Sequence, residues 1–168
     1  MAEVHNKSTL ITNVEDVTGV TRNQSFVSHG RVRSVVETMA IAAADSDGST
    51  LRFFRVKSSW RVESLRLAAD ASVVSTDIDI GLYKITGDGG AAVAAACYVE
   101  QLNLSGGAAY PFTELAFSVR GIETVKQQIW QDAGLSADPR TWYDLTITCN
   151  TIGAAGGDFA MILNYIED

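Results

Sequence analysis

Hydrophobic side chains recur at every second position through most of the chain from Val35 onward. Val35, Met39 and Ile41 share one face of a first stretch, interrupted by Glu37, while Val36, Thr38, Ala40 and Ala42 line the other. Ile78, Ile80 and Leu82 alternate with Asp77 and Asp79. Tyr143, Leu145, Ile147 and Cys149 alternate with Trp142, Asp144, Thr146 and Thr148. A period of two is the side-chain repeat of a strand. Asp45-Ser46-Asp47-Gly48-Ser49, Thr86–Gly90, Gly106-Gly107, Asp138-Pro139 and Ala154–Gly157 punctuate the pattern with turn chemistry. Stretches of strand length divided by turns every ten to fifteen residues or so predict about seven strands between Val35 and Ile166, and an all-β sandwich of jelly-roll type.

Several stretches depart from plain alternation. The apolar phase slips by one between Trp60/Val62 and Leu65/Leu67, which predicts a β-bulge. Phe53 and Phe54 are expected on opposite faces of their strand. Ala91 to Leu104 is ambiguous: its alanines favour a helix, its glycine flanks and neighbours a strand. Pro111 cannot donate to a ladder, so the next strand is expected just after it, with Leu115, Phe117 and Val119 on one side. Ile122, Val125, Ile129, Trp130 and Ala133 fall at helical spacing, and Glu123 suits a first turn. Gly134 and Leu135 fit a left-handed cap, so one short helix is predicted here. The last stretch, Phe159 to Ile166, is apolar on both faces, as in a central strand or one covered by a partner.

Residues 1–31 lack this periodicity and read as an extended N-terminal arm ahead of a domain at 32–168. Of the chain's residues 46% are hydrophobic and 20% charged, too apolar for a disordered chain. No apolar run reaches the length of a membrane span, and Met1–Thr9 lacks the apolar centre of a secretory signal. The net charge of -7 is uneven. Residues 1–31 carry three basic and three acidic groups, residues 32–68 six and four, and residues 69–168 four and thirteen. An acidic balance of this kind argues against nucleic acid as a partner, because phosphate binding needs a basic face. Basic side chains gather instead at Arg52, Arg55, Lys57, Arg61 and Arg66, read as one hairpin that is either a solvated rim or a docking patch for an acidic surface.

Chemistry is sparse. Both histidines, His5 and His29, lie in the arm, and Ser28 beside His29 has no supporting frame for nucleophilic catalysis. Cys97 and Cys149 lack metal-ligand spacing, so two free thiols are expected and no metal or cofactor is assigned. Asp77 and Asp79 share a strand face and could serve glycoside hydrolysis or a metal, but both look equally wet, as charges on an edge do. Asp45–Ser49 matches only the start of a calcium loop. No catalytic residue is assigned, and no enzyme activity is expected. Exposed aromatics on a sheet face would suit a carbohydrate-binding module, with Trp60, Trp142, Tyr98 and Tyr110 as candidates.

Three stretches together resemble the head decoration, or cement, proteins of tailed bacteriophages. They are Ser59-Trp60-Arg61-Val62 leading into Leu65-Arg66-Leu67; Asp77-Ile78-Asp79-Ile80-Gly81-Leu82-Tyr83 with its glycine turn; and Ile129–Ser136 running to Asp138-Pro139 and Tyr143–Thr146. The resemblance spans roughly residues 50–167. It implies a jelly-roll-like fold and a structural role on the outer surface of a phage capsid, bridging major capsid protein subunits as a dimer or trimer. Residues 1–31 fall outside it. On this reading the candidate capsid contacts are Phe26 and Arg31 of the arm with Arg52, Arg55, Lys57, Arg61 and Arg66. The alternatives are the carbohydrate-binding module and a head-fibre or tail-associated protein.

Overall fold

A computed structural model describes residues 18, 30–43, 45–71, 77–104, 108–152 and 156–167. Eight strands appear in it: β1 (Arg31–Ile41), β2 (Ser49–Lys57), β3 (Arg61–Ala69), β4 (Asp77–Lys84), β5 (Ala92–Leu102), β6 (Tyr110–Glu114), β7 (Trp142–Thr151) and β8 (Gly157–Glu167). They form two four-stranded antiparallel sheets, ordered β1-β8-β3-β6 and β2-β7-β4-β5. The pairings β1·β8, β2·β7, β3·β6 and β4·β5 are those of one long hairpin folded about its middle. The pairings β3·β8 and β4·β7 wrap that hairpin into two layers. This is the jelly-roll topology of two Greek keys.

The core lies between the layers. Val62, Leu65 and Leu67 of β3, Ile78, Ile80 and Leu82 of β4, Leu145, Ile147 and Cys149 of β7, and Phe159, Met161 and Leu163 of β8 are all buried. Each set occupies alternate positions, as the period-two reading requires. Val35 and Met39 pack against this core and Ile41 is inside it, so the first face is assigned correctly from sequence. β8 is a central strand, flanked by β1 and β3. The predicted bulge lies at Glu63, where the β3·β8 register shifts between Val62 and Ser64.

Three expectations need correction, and one open choice is resolved. The phenylalanines do not face opposite ways. The β2·β7 register shifts between Arg52 and Phe54, and this bulge turns both rings toward the core, 5.9 Å apart. The open choice at Ala91–Leu104 resolves as a strand, Ala92–Leu102, bulged between Ala94 and Val99, because cross-strand pairing overrides alanine's helical propensity. Tyr110–Glu114, not Leu115–Val119, forms β6, and Pro111 lies inside it. That is permitted because β6 is an edge. The Glu114 carboxylate then accepts the N–H groups of Leu65 and Ala116 and leads the chain out of the sheet.

The expected helix is reduced to a 3-10 turn at Ile122–Thr124 and a single turn α1 (Ile129–Asp132). Of the apolar series only Ile129 is buried, while Ile122 is 88% exposed. The β2–β3 turn captures the start of α1: Trp60 O accepts Ile129 N–H and Ser58 O accepts Trp130 N–H. The predicted cap closes it. Gly134 has φ +75°, Leu135 N–H reaches Trp130 O and Gly134 N–H reaches Gln131 O.

Candidate interaction surfaces

The four arginines and one lysine from Arg52 to Arg66 do not form a hairpin. β2 and β3 lie in opposite sheets, so the cluster is split. Arg52 and Arg55 are three residues apart, yet both turn outward because the bulge at Phe53 lies between them. Both reach Asp144 of β7. Arg52 Nη1 is 3.1 Å from Oδ2 and Arg55 Nε is 3.0 Å from Oδ1. Arg52 also donates to the carbonyls of Lys84 and Gly90, bracing the glycine turn that the sequence marks. These two arginines therefore already serve an internal carboxylate. Lys57 is exposed at the end of β2, opposite Trp142.

On the other sheet, Arg61 donates to Val125 O, and burial holds its guanidinium below the usual range. Arg66 stands in the row Val36–Ile162–Arg66–Glu114 across all four strands. Arg31 opens β1, exposed and opposite Glu167. Phe26 lies outside the described residues, as does nearly all of the proposed arm.

The carboxylates Asp77 and Asp79 do share one face, but β4 is an interior strand and the pair is not a wet edge. Asn150 Nδ2 donates to both, at 3.2 and 2.7 Å, and Gln101 N–H adds a bond to Asp79. In the Asp45–Ser49 turn, Asp45 and Asp47 accept the N–H groups of Ala42 and Ile152. Each of these four carboxylates therefore accepts a hydrogen bond from within the chain.

One buried charge group was not legible in the sequence. Arg120 and Asp132 are separated by a 3-10 turn and meet with their side chains almost wholly enclosed, Nε to Oδ1 3.2 Å. Tyr98 O–H donates to Asp132 Oδ2 at 2.8 Å, and the guanidinium lies over the Tyr98 and Phe117 rings. The ion pair makes no hydrogen bond: Arg120 Nε and Asp132 Oδ1 both lack a partner. Burial pushes the Asp132 carboxyl up to about 6 against the pull of Arg120. Burial also raises Tyr98 and both cysteines, with Cys149 pushed to about 11. Both thiols are thus protonated at neutral pH and are poor nucleophiles.

Of the aromatics proposed for a sugar platform, Tyr98 is completely buried and unavailable. Trp60 and Trp142 do come together, edge to face at 5.5 Å, but Tyr165 stacks on the Trp60 ring at 4.2 Å. Trp142 remains 42% exposed beside a cleft of about 400 Å³ lined by Lys84, Asp88, Val93, Leu135 and Pro139.

The two outer sheet faces differ. That of the β2-β7-β4-β5 sheet is closed at its centre: Thr146, Thr148, Asp144 and Tyr83 are buried, and Tyr83 Oη is 2.7 Å from Thr148 Oγ1. The β1-β8-β3-β6 sheet presents Val32, 60% exposed, and Val36, 66% exposed, from β1. Sequence reasoning began its first strand at Val35 and so missed Val32. The alternation Val32, Ser34, Val36 was the available signal. Among the described residues, no helix is long and apolar enough to cross a membrane, and no three His, Cys, Asp or Glu residues gather as a metal site.

No family model and no curated protein matches the chain. Among solved structures it is similar to a chain of the cyanophage Pam1 capsid asymmetric unit, with a TM-score of 0.47 and 13% identity over 83% of this chain and 86% of that one.

Proposed function

We propose that this chain is a structural protein of a phage virion that decorates the head and bridges major capsid protein subunits, working by contact and without turnover. The observation that carries this reading is the distribution of satisfied and unsatisfied surface. Polar side chains that could do chemistry are bonded within the fold, at Asp144, Asp77, Asp79 and Asp132. Large apolar side chains stand outside it: Val32, Val36, Phe112, Ile122, Val125 and Trp142. A jelly roll with apolar groups at its rim buries them by association, and many copies on a lattice give avidity from modest contacts. The resemblance of residues 50–167 to head decoration proteins supports the same reading.

The experiment is mass spectrometry and cryo-electron microscopy of particles from the phage whose genome encodes the chain. The expected result is stoichiometric protein on the outer head surface. Absence from mature particles overturns the proposal, and a position on the tail moves it to the head-fibre or tail-associated alternative. The arm is tested in the same system: a chain lacking residues 1–31 is expected to fold but to occupy heads less fully.

The half-exposed Trp142 at the rim of its cleft favours carbohydrate binding as a second reading, since an apolar wall with Lys84 and Asp88 beside it suits a sugar ring. Glycan-array signal abolished by Trp142→Ala would support it, and a silent array removes it.

A further inference from the structure

We infer that the edge of β1, unpaired among the described residues, is a self-pairing surface, on which a second copy of this chain adds its own β1 antiparallel about Ser34. The inference does not depend on the capsid reading.

The four sheet edges are β1, β6, β2 and β5. Proteins blunt such edges with short strands, prolines or bulges, because unpaired N–H and C=O groups otherwise recruit another strand. Three of the four are blunted here. β6 has five residues and contains Pro111. β2 is bulged at Arg52–Phe54, and β5 shifts register against β4 three times. β1 has none of these devices. It runs for eleven residues, and its ladder with β8 is unbroken from Arg31↔Glu167 to Ile41↔Gly157.

Charge alone could protect such an edge, but the charges on β1 have both signs and a particular spacing. Pairing about a two-fold axis normal to the sheet keeps each side chain on its own face and opposes residues equidistant from the centre. With Ser34 at the centre, Arg31 of each copy opposes Glu37 of the other. On the outer face Val32 opposes Val36, both well exposed, and Ser34 opposes its own copy. Among the described residues neither Arg31 nor Glu37 has an ion-pair partner within the chain; Glu37 only accepts the N–H of Thr38 at the edge. Centres at residues 32, 33 or 37 oppose like charges, which is destabilising. A centre at residue 35 takes Arg33 from Glu167, to which it is bonded at 2.7 Å. The sequence from Arg31 to Glu37 is therefore complementary to itself in one register.

The test is sedimentation velocity with light scattering on the full chain, comparing wild type with Arg31→Glu and Glu37→Arg. Wild type is expected to be a dimer of the 18.0 kDa chain. Each single variant creates two like-charge oppositions per interface and should weaken self-association about tenfold or more. Mixed together, the two variants restore both oppositions as opposite-charge pairs, so they are expected to dimerise with each other although neither does so alone. Circular dichroism and thermal unfolding verify that both exposed substitutions leave the fold intact. A wild-type monomer or trimer overturns the inference, as does failure of the mixed variants to pair. A monomer whose β1 amides are protected from hydrogen exchange also overturns it, by assigning the edge to residues 1–29 of the same chain.

Discussion

The two sheets are built from the same eight-strand hairpin, yet one is closed across the centre of its outside and the other is open along β1. On the β2-β7-β4-β5 sheet the outward side chains bond one another: two arginines to Asp144, Asn150 to two aspartates, Tyr83 to Thr148. A loop of β5 also crosses over it. Between the pairings Ile80↔Val99 and Leu82↔Ala94, the single residue Gly81 faces Ala95, Ala96, Cys97 and Tyr98. On the β1-β8-β3-β6 sheet the outward residues of β1 are Val32, Ser34, Val36, Thr38 and Ala40, all exposed. A face that has used its hydrogen-bonding groups internally has little left to offer a partner. The β1 strip of small and apolar residues, at a regular edge, has that capacity intact.

The largest effect is expected where the closed face is tightest. A Cβ on Gly81 would stand 2.1 Å from Ala94 O and 2.3 Å from the Ala95 carbonyl carbon. Both are backbone atoms, so relief requires β5 to lift away. Gly81→Ala should therefore cost roughly 3 kcal/mol or more in denaturant unfolding, at the upper end for a single substitution. If it is tolerated, β5 does not cover that face, and the contrast between the sheets fails.

Next comes the carboxylate that both arginines answer. Asp144→Ala leaves Arg52, whose side chain is only 28% exposed, without its ion pair, and should destabilise by about 2–3 kcal/mol. Arg55→Ala is the internal control. Its side chain is 56% exposed and Arg52 remains in place, so about 0.5 kcal/mol is expected. Equal losses from both substitutions would mean that the outer face is held as a solvated surface.

Asp132 sharpens the comparison, because it is a carboxylate that burial defeats where Asp144 is fully answered. Its folded pKa of about 6 lies above the ordinary 3.8. The folded state thus holds this proton more tightly than the unfolded state. The resulting stability is fully present below about 3.8 and is lost as pH rises through about 6. Wild type should gain stability relative to Asp132→Asn as pH falls from 7 to 4, measured as paired melting curves. An unchanged difference across that window would place the proton elsewhere.

Much of the fold was legible because it depends on local alternation. The inner faces of β3, β4, β7 and β8 and the bulge at Glu63 follow from which residues are apolar. What was not legible depends on residues far apart in the chain. The Arg52–Arg66 stretch looked like one basic hairpin because adjacent strands in sequence usually pair. The jelly roll instead sends β2 and β3 to opposite layers, and no local signal encodes that. The helix was legible in its existence and its cap but not in its start: Ile122, Val125 and Ile129 have the right spacing, but carbonyls of the β2–β3 turn fix where helical bonding begins. Arg120 and Asp132 are unremarkable until the fold encloses them. The open edge was half visible, since the charges at Arg31, Arg33 and Glu37 are plain in sequence. Only the unbroken ladder with β8 shows that they lie along one free strand.

The smallest expected effect is the counterpart of the Gly81 test. Ala40 is on the outer face of β1, exposed and paired only with Asp158 across the ladder. Ala40→Val adds two methyl groups where Gly81 tolerates one carbon at high cost. With nothing among the described residues packed over it, the larger side chain should change unfolding stability by no more than about 0.5 kcal/mol, with valine's preference for strands acting in its favour. A loss approaching that of Gly81→Ala would mean that something already covers this face in the isolated chain. A neutral result beside a severe one at Gly81 establishes that the two faces differ in what they can still accept.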